Sequence, residues 1–216
     1  MAHLISDNDE RFTRAREHML RQLRERGVTD ARILEAFTNV PRQSFVLPQD
    51  VESAYEDYPL PIGFGQTISQ PFIVAYMVSQ LRLKPTDRVL EIGTGSGYAA
   101  AILSKLAAKV FTIEVVPELY ERAQAILKKL HFTNVICYLR DGRQGIPEEA
   151  PFDTIMLSAA PEQIPSALLD QLKLGGLLIA PVGSIKLFQQ LRLYEKTGPE
   201  KYKETDLLDV SFVEMV

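Results

Sequence analysis

Short apolar runs alternate with amphipathic segments along the second half of the chain. The runs are rich in branched side chains and span residues 88–92, 110–113, 135–139, 152–157 and 177–181. Helical periodicity separates them at residues 96–106, 117–130 and 164–172. Because strands that alternate with helices are joined by right-handed crossovers, this order predicts an α/β fold with a doubly wound, mostly parallel, Rossmann-like sheet. Two final runs, 187–194 and 207–215, are predicted to pair antiparallel at the sheet edge.

The beginning of the chain follows a different pattern. Residues 9–26 place apolar side chains at helical intervals among interleaved charges, and Gly27 is predicted to end this helix. A second helix is predicted over residues 31–37, with Thr29 or Asp30 as its N-cap. Four prolines then punctuate an irregular stretch, at Pro41, Pro48, Pro59 and Pro61. Such a stretch inside a compact domain is usually functional.

At 216 residues the chain is long enough to bury a substantial core, and no low-complexity segment divides it. We therefore expect a single domain over residues 1–216. Its parts are predicted to be an N-terminal helical extension, a cofactor-binding core and C-terminal edge strands, over residues 1–60, 61–183 and 184–216.

Composition and charge exclude several classes of function. A formal net charge of −4 provides no field that attracts nucleic acid or an anionic membrane, so neither partner is expected. No apolar run approaches the roughly eighteen residues of a membrane span, and we expect a soluble, cytoplasmic protein that acts as a monomer. The single cysteine, Cys137, excludes an internal disulfide and fits a reducing compartment. Histidine and cysteine are too scarce to predict a metal site.

The predicted strand 88–92 runs directly into three alternating glycines, Gly93, Gly95 and Gly97. Glycine permits the dihedral angles of a sharp turn and lets a ligand approach the backbone. The dinucleotide fingerprint places its third glycine where this chain has Tyr98, and no Lys-Ser/Thr pair follows, as a P-loop requires. The turn therefore predicts a ligand at the carboxyl end of this strand that is neither a dinucleotide nor a phosphate held by a P-loop.

Three acidic residues stand at the ends of successive predicted strands: Glu91, Glu114 and Asp141. Glu114 follows the first glycine by about twenty residues, where a carboxylate can accept both hydrogen bonds of a ribose diol. An acid at each strand end suits a nucleoside that carries an amino acid. Two plainer interpretations stay open: the glycine turn is structural only, or Glu114 caps the helix that Pro117 begins.

A further candidate is Ser69, which precedes a helix predicted from Phe72 to Leu81. Considered from physics alone, Ser69 is the N-cap of that helix, with Pro71 in its first turn. No histidine is spaced with an acid so as to make the serine a nucleophile.

Two motifs resemble known families. The pattern Glu91-x-Gly-x-Gly-x-Gly resembles motif I of the class I S-adenosylmethionine methyltransferases. The segment from Pro59 to Pro71, with Gly65-Gln66-Thr67-Ile68-Ser69-Gln70-Pro71 at its end, is similar to the signature of the protein-L-isoaspartate O-methyltransferases. Shorter matches extend this resemblance over nearly the whole chain, at residues 26–28, 40–42, 45–46, 54–55 and 181–183.

The resemblance implies the class I methyltransferase fold, with S-adenosyl-L-methionine as cofactor and S-adenosyl-L-homocysteine as product. The residues that would face the methionine portion all lie in the glycine turn: Glu91, Gly93, Thr94, Gly95, Ser96 and Gly97. By the same resemblance Glu114 faces the ribose, and Asp141 with Gly142 faces the adenine.

The family's active-site serine matches Ser69, which would hold the substrate carboxylate near the methyl donor, and Thr67 and Ile68 would also contact the substrate. The implied reaction methylates the free α-carboxylate of L-isoaspartyl residues in damaged proteins and peptides, which starts their repair. An ionised carboxylate attacks an activated methyl without a general base, so catalysis can rest on positioning and desolvation.

Three positions depart from the family pattern: Glu214 stands in place of proline, Ser184 in place of glycine and Arg140 in place of glycine. The first two lie in regions expected to contact substrate, so they affect the preferred peptide more than the type of reaction. Two alternatives remain. One is a class I methyltransferase for another acceptor, a small-molecule acid or an RNA base, although small residues at 158–161 disfavour a planar amine. The other is a non-catalytic nucleoside-binding module.

Overall fold

The computed structural model describes residues 10–184 and 188–215. Asp9 and Leu187, predicted to begin a helix and a strand, lie outside the described residues. Within the described ranges, no helix is both long and apolar enough to cross a membrane.

Helices and strands alternate as the apolar pattern predicts. The helices are α1 (Glu10–Glu25), α2 (Ala31–Asn39), α3 (Pro71–Gln80), α4 (Tyr98–Ser104), α5 (Pro117–Lys129) and α6 (Ser166–Asp170). The strands are β1 (Leu60–Gly63), β2 (Gln66–Ile68), β3 (Arg88–Ile92), β4 (Lys109–Glu114), β5 (Val135–Leu139), β6 (Phe152–Leu157), β7 (Leu172–Ser184), β8 (Phe188–Gly198) and β9 (Lys201–Val210). Short 3-10 turns cover Arg42–Ser44, Pro48–Ser53, Gly142–Gln144 and Pro147–Glu149.

The central sheet has seven strands in the order β5-β4-β3-β6-β7-β8-β9. Strands β3 to β7 are parallel, whereas β8 and β9 are antiparallel to their neighbours. The chain winds outward from β3 to β5 and then returns to place β6 on the other side of β3. This reversal leaves a crevice at the carboxyl ends of β3 and β6, where open α/β sheets bind their ligands. The α/β prediction is confirmed.

Both faces of the central strands β3, β4 and β6 are buried, which explains their nearly continuous apolar runs. Val89 packs on one face with helices α1 to α5. Leu90 and Ile92 pack on the other face with Phe111 and Phe152, whose rings meet edge to face at 5.6 Å between centroids. Glu91 alternates onto the face of Val89 and is wholly buried, so this carboxyl interrupts an otherwise apolar strand.

Two N-cap predictions are decided by the structure. Asp30 caps α2, because its carboxylate accepts a hydrogen bond from the amide of Arg32 at 2.8 Å. The prediction that Ser69 caps α3 is wrong. Helix α3 begins after Gln70, and the amide of Phe72 donates instead to the carboxylate of Asp57 at 3.0 Å. The cap therefore comes from the irregular stretch, and the side chain of Ser69 is not needed for it.

Strand β7 begins at Leu172, five residues before the predicted apolar run at 177–181, so Gly175 and Gly176 lie inside the strand. The register against β6 shifts after the pair of Phe152 and Leu172, so a bulge accommodates the glycines without ending the strand. The last strand begins at Lys201, six residues before its predicted start at Leu207, and ends at Val210. Its first residues are polar, because an edge strand pairs on one side only and needs little apolar surface.

Candidate active site

The glycine turn folds against the end of β4. The amides of Gly93 and Thr94 both donate to the carbonyl of Ile113, at 2.9 and 3.0 Å. Gly93 and Gly97 have φ values of 92° and 88°, a left-handed conformation that favours glycine. A Cβ at Gly97 would contact Ala123 and Leu127 of α5 at 3.4 Å, so Gly97 serves the packing of the turn on α5.

Glu114 joins the glycine turn to the start of α5. One carboxylate oxygen accepts from the amide of Gly95 at 2.7 Å, and the other accepts from the amides of Val115 and Val116 at 2.9 and 3.0 Å. Val116 is the N-cap residue of α5, so Glu114 does support that helix. A carboxylate has about four acceptor positions, and these bonds leave capacity for a ligand hydroxyl.

Glu91 is wholly buried beside the same turn. Its carboxyl accepts a hydrogen bond from the hydroxyl of Thr112 at 2.6 Å and from that of Ser158 at 3.5 Å. Burial raises the pKa of Glu91 to about 8, and the charge of Glu114 adds to this shift, while the two hydroxyls oppose it. The group is therefore largely neutral near pH 7, and a cationic ligand beside it would favour its ionised form.

At the end of β5 the chain makes a 3-10 turn over Gly142–Gln144. Asp141 caps this turn, because its carboxylate accepts from the amide of Arg143 at 2.9 Å and pairs with the guanidinium of that residue at 3.2 Å. Gly142 lies against Ile92, and an added Cβ would come within 2.4 Å of Cγ2 of that side chain. Only glycine fits this position, and Gly142 therefore keeps this part of the wall free of a side chain.

The β1–β2 hairpin places the candidate serine opposite the glycine turn. Ile62 of β1 would touch a Cβ at Gly95 at 3.4 Å, and its carbonyl accepts from the guanidinium of Arg122 on α5 at 2.5 Å. These contacts hold the hairpin over the turn. Ser69 follows β2, and its carbonyl accepts from Nη2 of Arg42 at 2.8 Å.

Residues 211–215 leave the sheet and cross the carboxyl end of β6. The amide of Ala160 donates to the carbonyl of Val213 at 2.8 Å, and the amide of Met215 donates back to the carbonyl of Ala160 at 2.9 Å. Phe212 is tied to Gln189 of β8 through its amide and its carbonyl, at 2.6 and 3.1 Å. The prediction that this segment extends the last strand is wrong, because these bonds direct it over the crevice.

These elements enclose a cleft of about 790 Å³, including its open mouth. Its wall contains most of the predicted site residues: Thr67, Ile68, Ser69, Glu91, Gly93, Thr94, Gly95, Ser96, Glu114 and Gly142. A second cleft of about 980 Å³ adjoins it and shares four wall residues: Thr67, Ser69, Ser158 and Val213.

A family model for protein-L-isoaspartate(D-aspartate) O-methyltransferases matches residues 14–216. The chain belongs to this family. The chain is 50% identical over 206 residues to protein-L-isoaspartate O-methyltransferase 1 of Syntrophobacter fumaroxidans, covering 95% of each protein. It is also 50% identical over 192 residues to the protein-L-isoaspartate O-methyltransferase of Gloeobacter violaceus, covering 89% of this chain and 93% of that protein.

Solved structures agree with the family assignment. A protein-L-isoaspartate O-methyltransferase superimposes with a TM-score of 0.84 and 31% identity, over 92% of this chain and 65% of that chain. A putative protein-L-isoaspartate O-methyltransferase from Plasmodium falciparum, in complex with S-adenosyl-L-homocysteine, superimposes with a TM-score of 0.81 and 26% identity, over 93% of this chain and 98% of that chain. The predicted resemblance to the protein-L-isoaspartate O-methyltransferases and the class I methyltransferase fold are thereby confirmed.

Two predicted cofactor residues of this protein-L-isoaspartate O-methyltransferase family member, Gly97 and Asp141, do not line the cleft. The wall also contains residues that sequence reasoning did not assign: Tyr98, Ala99, Val115, Val116, Ser158, Ala159, Val213 and Met215. Those at 115–116 and 158–159 follow β4 and β6 directly, so their position at strand ends was a usable signal. Glu214, one of the departures from the family pattern, lies in the wall, whereas Ser184 does not.

Proposed function

We propose that this chain is a repair enzyme that transfers a methyl group from S-adenosyl-L-methionine to the free α-carboxylate of L-isoaspartyl residues in damaged proteins and peptides. The observation that carries the proposal is that Ser69 and the glycine turn open into one cleft. In a member of this family, that arrangement supports an acceptor and a methyl donor held side by side.

The residues of the cleft fit the cofactor. Glu91 is a buried carboxyl, and the positive charge of the ammonium or sulfonium in the methionine portion would favour its ionised form. Glu114 has acceptor capacity for the ribose hydroxyls, and Gly142 gives a wall without a side chain for the adenine. When bound, the cofactor supplies a methyl group already activated by a positive sulfur. The proposal assigns Gly93, Thr94, Gly95, Ser96 and Asp141 to the same ligand.

Ser69 is proposed to hold the acceptor carboxylate. Its hydroxyl is not used in capping α3, and it lies at the boundary between the two clefts. The second cleft, with Thr67 in its wall, would take the peptide around the acceptor residue. The chain's own contribution is then to orient the carboxylate in line with the methyl group and to exclude water, since the nucleophile is already ionised.

The methyl ester formed in this way carries a methoxy group, which leaves the carbonyl far more readily than an oxygen of the free carboxylate. The backbone nitrogen that follows the isoaspartyl residue attacks the ester carbonyl, methanol leaves, and a succinimide closes. Water then opens the ring at either carbonyl, which gives part normal aspartate and part isoaspartate. Repeated cycles convert the damaged residue to aspartate.

The test uses a matched pair of peptides, one with L-isoaspartate and one with L-aspartate at the same position. The purified protein is incubated with labelled S-adenosyl-L-methionine, and base-labile label in each peptide is counted. We expect label in the isoaspartyl peptide only. Label in neither peptide, with S-adenosyl-L-homocysteine still bound in calorimetry, would contradict the acceptor. Failure to bind S-adenosyl-L-homocysteine would contradict the assignment of the cofactor as well.

The proposal also includes a single domain that acts as a monomer in the cytoplasm. Phe12, Met19 and Leu23 of the N-terminal extension belong to the same core as Val89 and Tyr98, which supports one folding unit. We expect one cooperative unfolding transition in urea and a monomeric mass in light scattering. Two separate transitions or a dimeric mass would contradict this part of the proposal.

A further inference from the structure

Arg42 is a buried cation directly behind the candidate serine. Its side chain has no exposed surface. Nε donates to the carbonyl of Ala54 at 2.7 Å, and Nη2 donates to the carbonyl of Ser69 at 2.8 Å. The guanidinium thus ties the irregular stretch before β1 to the residue that borders both clefts.

The charge of Arg42 has no close counter-ion among the described residues. Its Nη1 is buried without a well-formed hydrogen bond there, the ring of Tyr98 covers the guanidinium at 4.6 Å, and the hydroxyl of Tyr98 interacts with its charge. Asp57 is already engaged by Arg26 at 2.6 Å and by Gln70 at 2.9 Å. Burying a charge without a partner is unfavourable, and an apolar side chain of similar size would fill the same space at lower cost. The hydrogen bonds to the carbonyls of Ala54 and Ser69 give the side chain a structural role, but they do not by themselves require a permanent charge.

The charges of the two clefts give the guanidinium a use. Besides the largely neutral Glu91, carboxyl groups in their walls come from Glu114, Asp209 and Glu214, and no lysine or arginine among the described residues lines either one. A carboxylate acceptor that approaches Ser69 therefore meets a wall of like charge. The buried Arg42 lies one residue behind that wall, in a region of low dielectric where its charge acts strongly.

We propose that Arg42 is a positioning residue for the acceptor: it fixes the backbone of Ser69 and supplies, through the wall, the positive charge that admits a carboxylate to the acidic cleft. This inference rests on the proposed function, because it concerns the carboxylate acceptor of that reaction. Arginine stays protonated in proteins, so the charge is present throughout the working pH range.

The experiment compares two peptides on the wild-type protein and on the Arg42→Met and Arg42→Lys variants. One peptide carries the isoaspartyl α-carboxylate, and the other carries a neutral carboxamide in its place. The apparent affinity for the isoaspartyl peptide is taken from its KM, and that for the carboxamide peptide from its inhibition constant as a competitive inhibitor. Calorimetry measures the affinity for S-adenosyl-L-homocysteine. We expect the wild type to prefer the carboxylate at least tenfold. Arg42→Met should lower this preference at least fivefold, and Arg42→Lys should keep it within twofold of the wild type. The affinity for S-adenosyl-L-homocysteine should stay within threefold of the wild type in both variants.

Arg88→Met is the control, because Arg88 is another arginine that packs on an aromatic ring. Unlike Arg42 it is only partly buried, pairs with Glu149 at 3.0 Å and lies outside both clefts. Its carboxylate preference should equal that of the wild type. An Arg42→Met variant that keeps the preference overturns the inference. If Arg42→Met does not fold, the Arg42→Lys variant decides. The inference is overturned equally if that variant binds S-adenosyl-L-homocysteine normally but no longer prefers the carboxylate peptide. Wild-type methylation of the isoaspartyl peptide, measured first, decides the proposed function separately.

Discussion

The two sides of the cleft are built in different ways. We call residues 91–96, 113–116 and 142 the cofactor half, and residues 66–69, 158–159 and 213–215 the acceptor half. The cofactor half is made where three neighbouring parallel strands end. Its Glu114 is held by backbone amides of the same turns, and its Glu91 by the hydroxyls of Thr112 and Ser158. The acceptor half joins segments that lie far apart in the sequence, through side chains that bond to distant backbone groups.

This difference separates local from long-range construction. In the cofactor half, sheet register alone places Glu91 beside Thr112 and brings Glu114 to the glycine turn. In the acceptor half, Arg42 and Asp57 reach Ser69 and Phe72 from the irregular stretch. We therefore expect changes in the first half to affect cofactor binding and changes in the second to affect the acceptor. Substitutions in each half test that separation.

The largest effect is expected from Glu114→Gln. The amide group cannot accept from three backbone amides, and hydrogen bonds to charged groups contribute about 1.5–3 kcal/mol each. We expect S-adenosyl-L-homocysteine affinity to fall on the order of 100-fold, with a loss of about 2 kcal/mol in unfolding free energy. Calorimetry and urea denaturation measure these. Glu118→Gln, in the exposed first turn of α5, is the control and should change neither. If Glu114→Gln binds S-adenosyl-L-homocysteine as tightly as the wild type, Glu114 does not support the cofactor half.

Ser69→Ala tests the acceptor half. Removing a hydroxyl that orients the reacting group is expected to lower kcat for the isoaspartyl peptide by roughly 10- to 100-fold. Because the cofactor half is unchanged, the affinity for S-adenosyl-L-homocysteine should stay within twofold of the wild type. Ser79→Ala, whose hydroxyl donates to Tyr76 within α3, is the matched control. Unchanged turnover in Ser69→Ala would remove the assigned role of this serine.

The pH dependence of cofactor binding tests Glu91. Its pKa is raised to about 8, so a cationic ligand favours the ionised form and gains affinity as the pH rises. We expect the affinity for S-adenosyl-L-homocysteine to increase about five- to tenfold between pH 7 and 8.5. In the ligand-free protein the sign reverses: the folded state binds the proton more tightly, so stability falls as pH rises from the ordinary glutamate pKa to about 8. Glu91→Gln should flatten both profiles, and persistence of either profile in that variant would contradict the assignment.

The smallest effect is expected from Asp57→Ala, which removes the cap of α3. Loss of a cap costs about 1 kcal/mol of stability, and release of the helix start should raise the peptide KM several-fold by loosening Ser69. Asp30→Ala removes the corresponding cap of α2 and is the matched control. A similar loss of stability without a change in KM is expected there. Equal KM values in the two variants would show that Asp57 supports folding only.

The same division explains how much the sequence predicts. Periodicity and the glycine spacing predict the parallel sheet, the turn after β3 and the strand-end acids, because these features depend on neighbouring residues. The capping role of Asp57 and the path of residues 211–215 depend on bonds between distant segments. Asp141 stands at the predicted strand end, but its carboxylate bonds to its own turn and lies outside the cleft wall, so its contact with the cofactor stays a prediction.

The most direct test of the account is the fate of the isoaspartyl peptide over many cycles. The peptide is incubated with the protein and S-adenosyl-L-methionine, and the aspartyl and isoaspartyl forms are separated by chromatography over time. The account predicts steady accumulation of the L-aspartyl peptide, and none when the cofactor is omitted. A methylated peptide that never yields aspartate, or no conversion at all, would contradict a repair function.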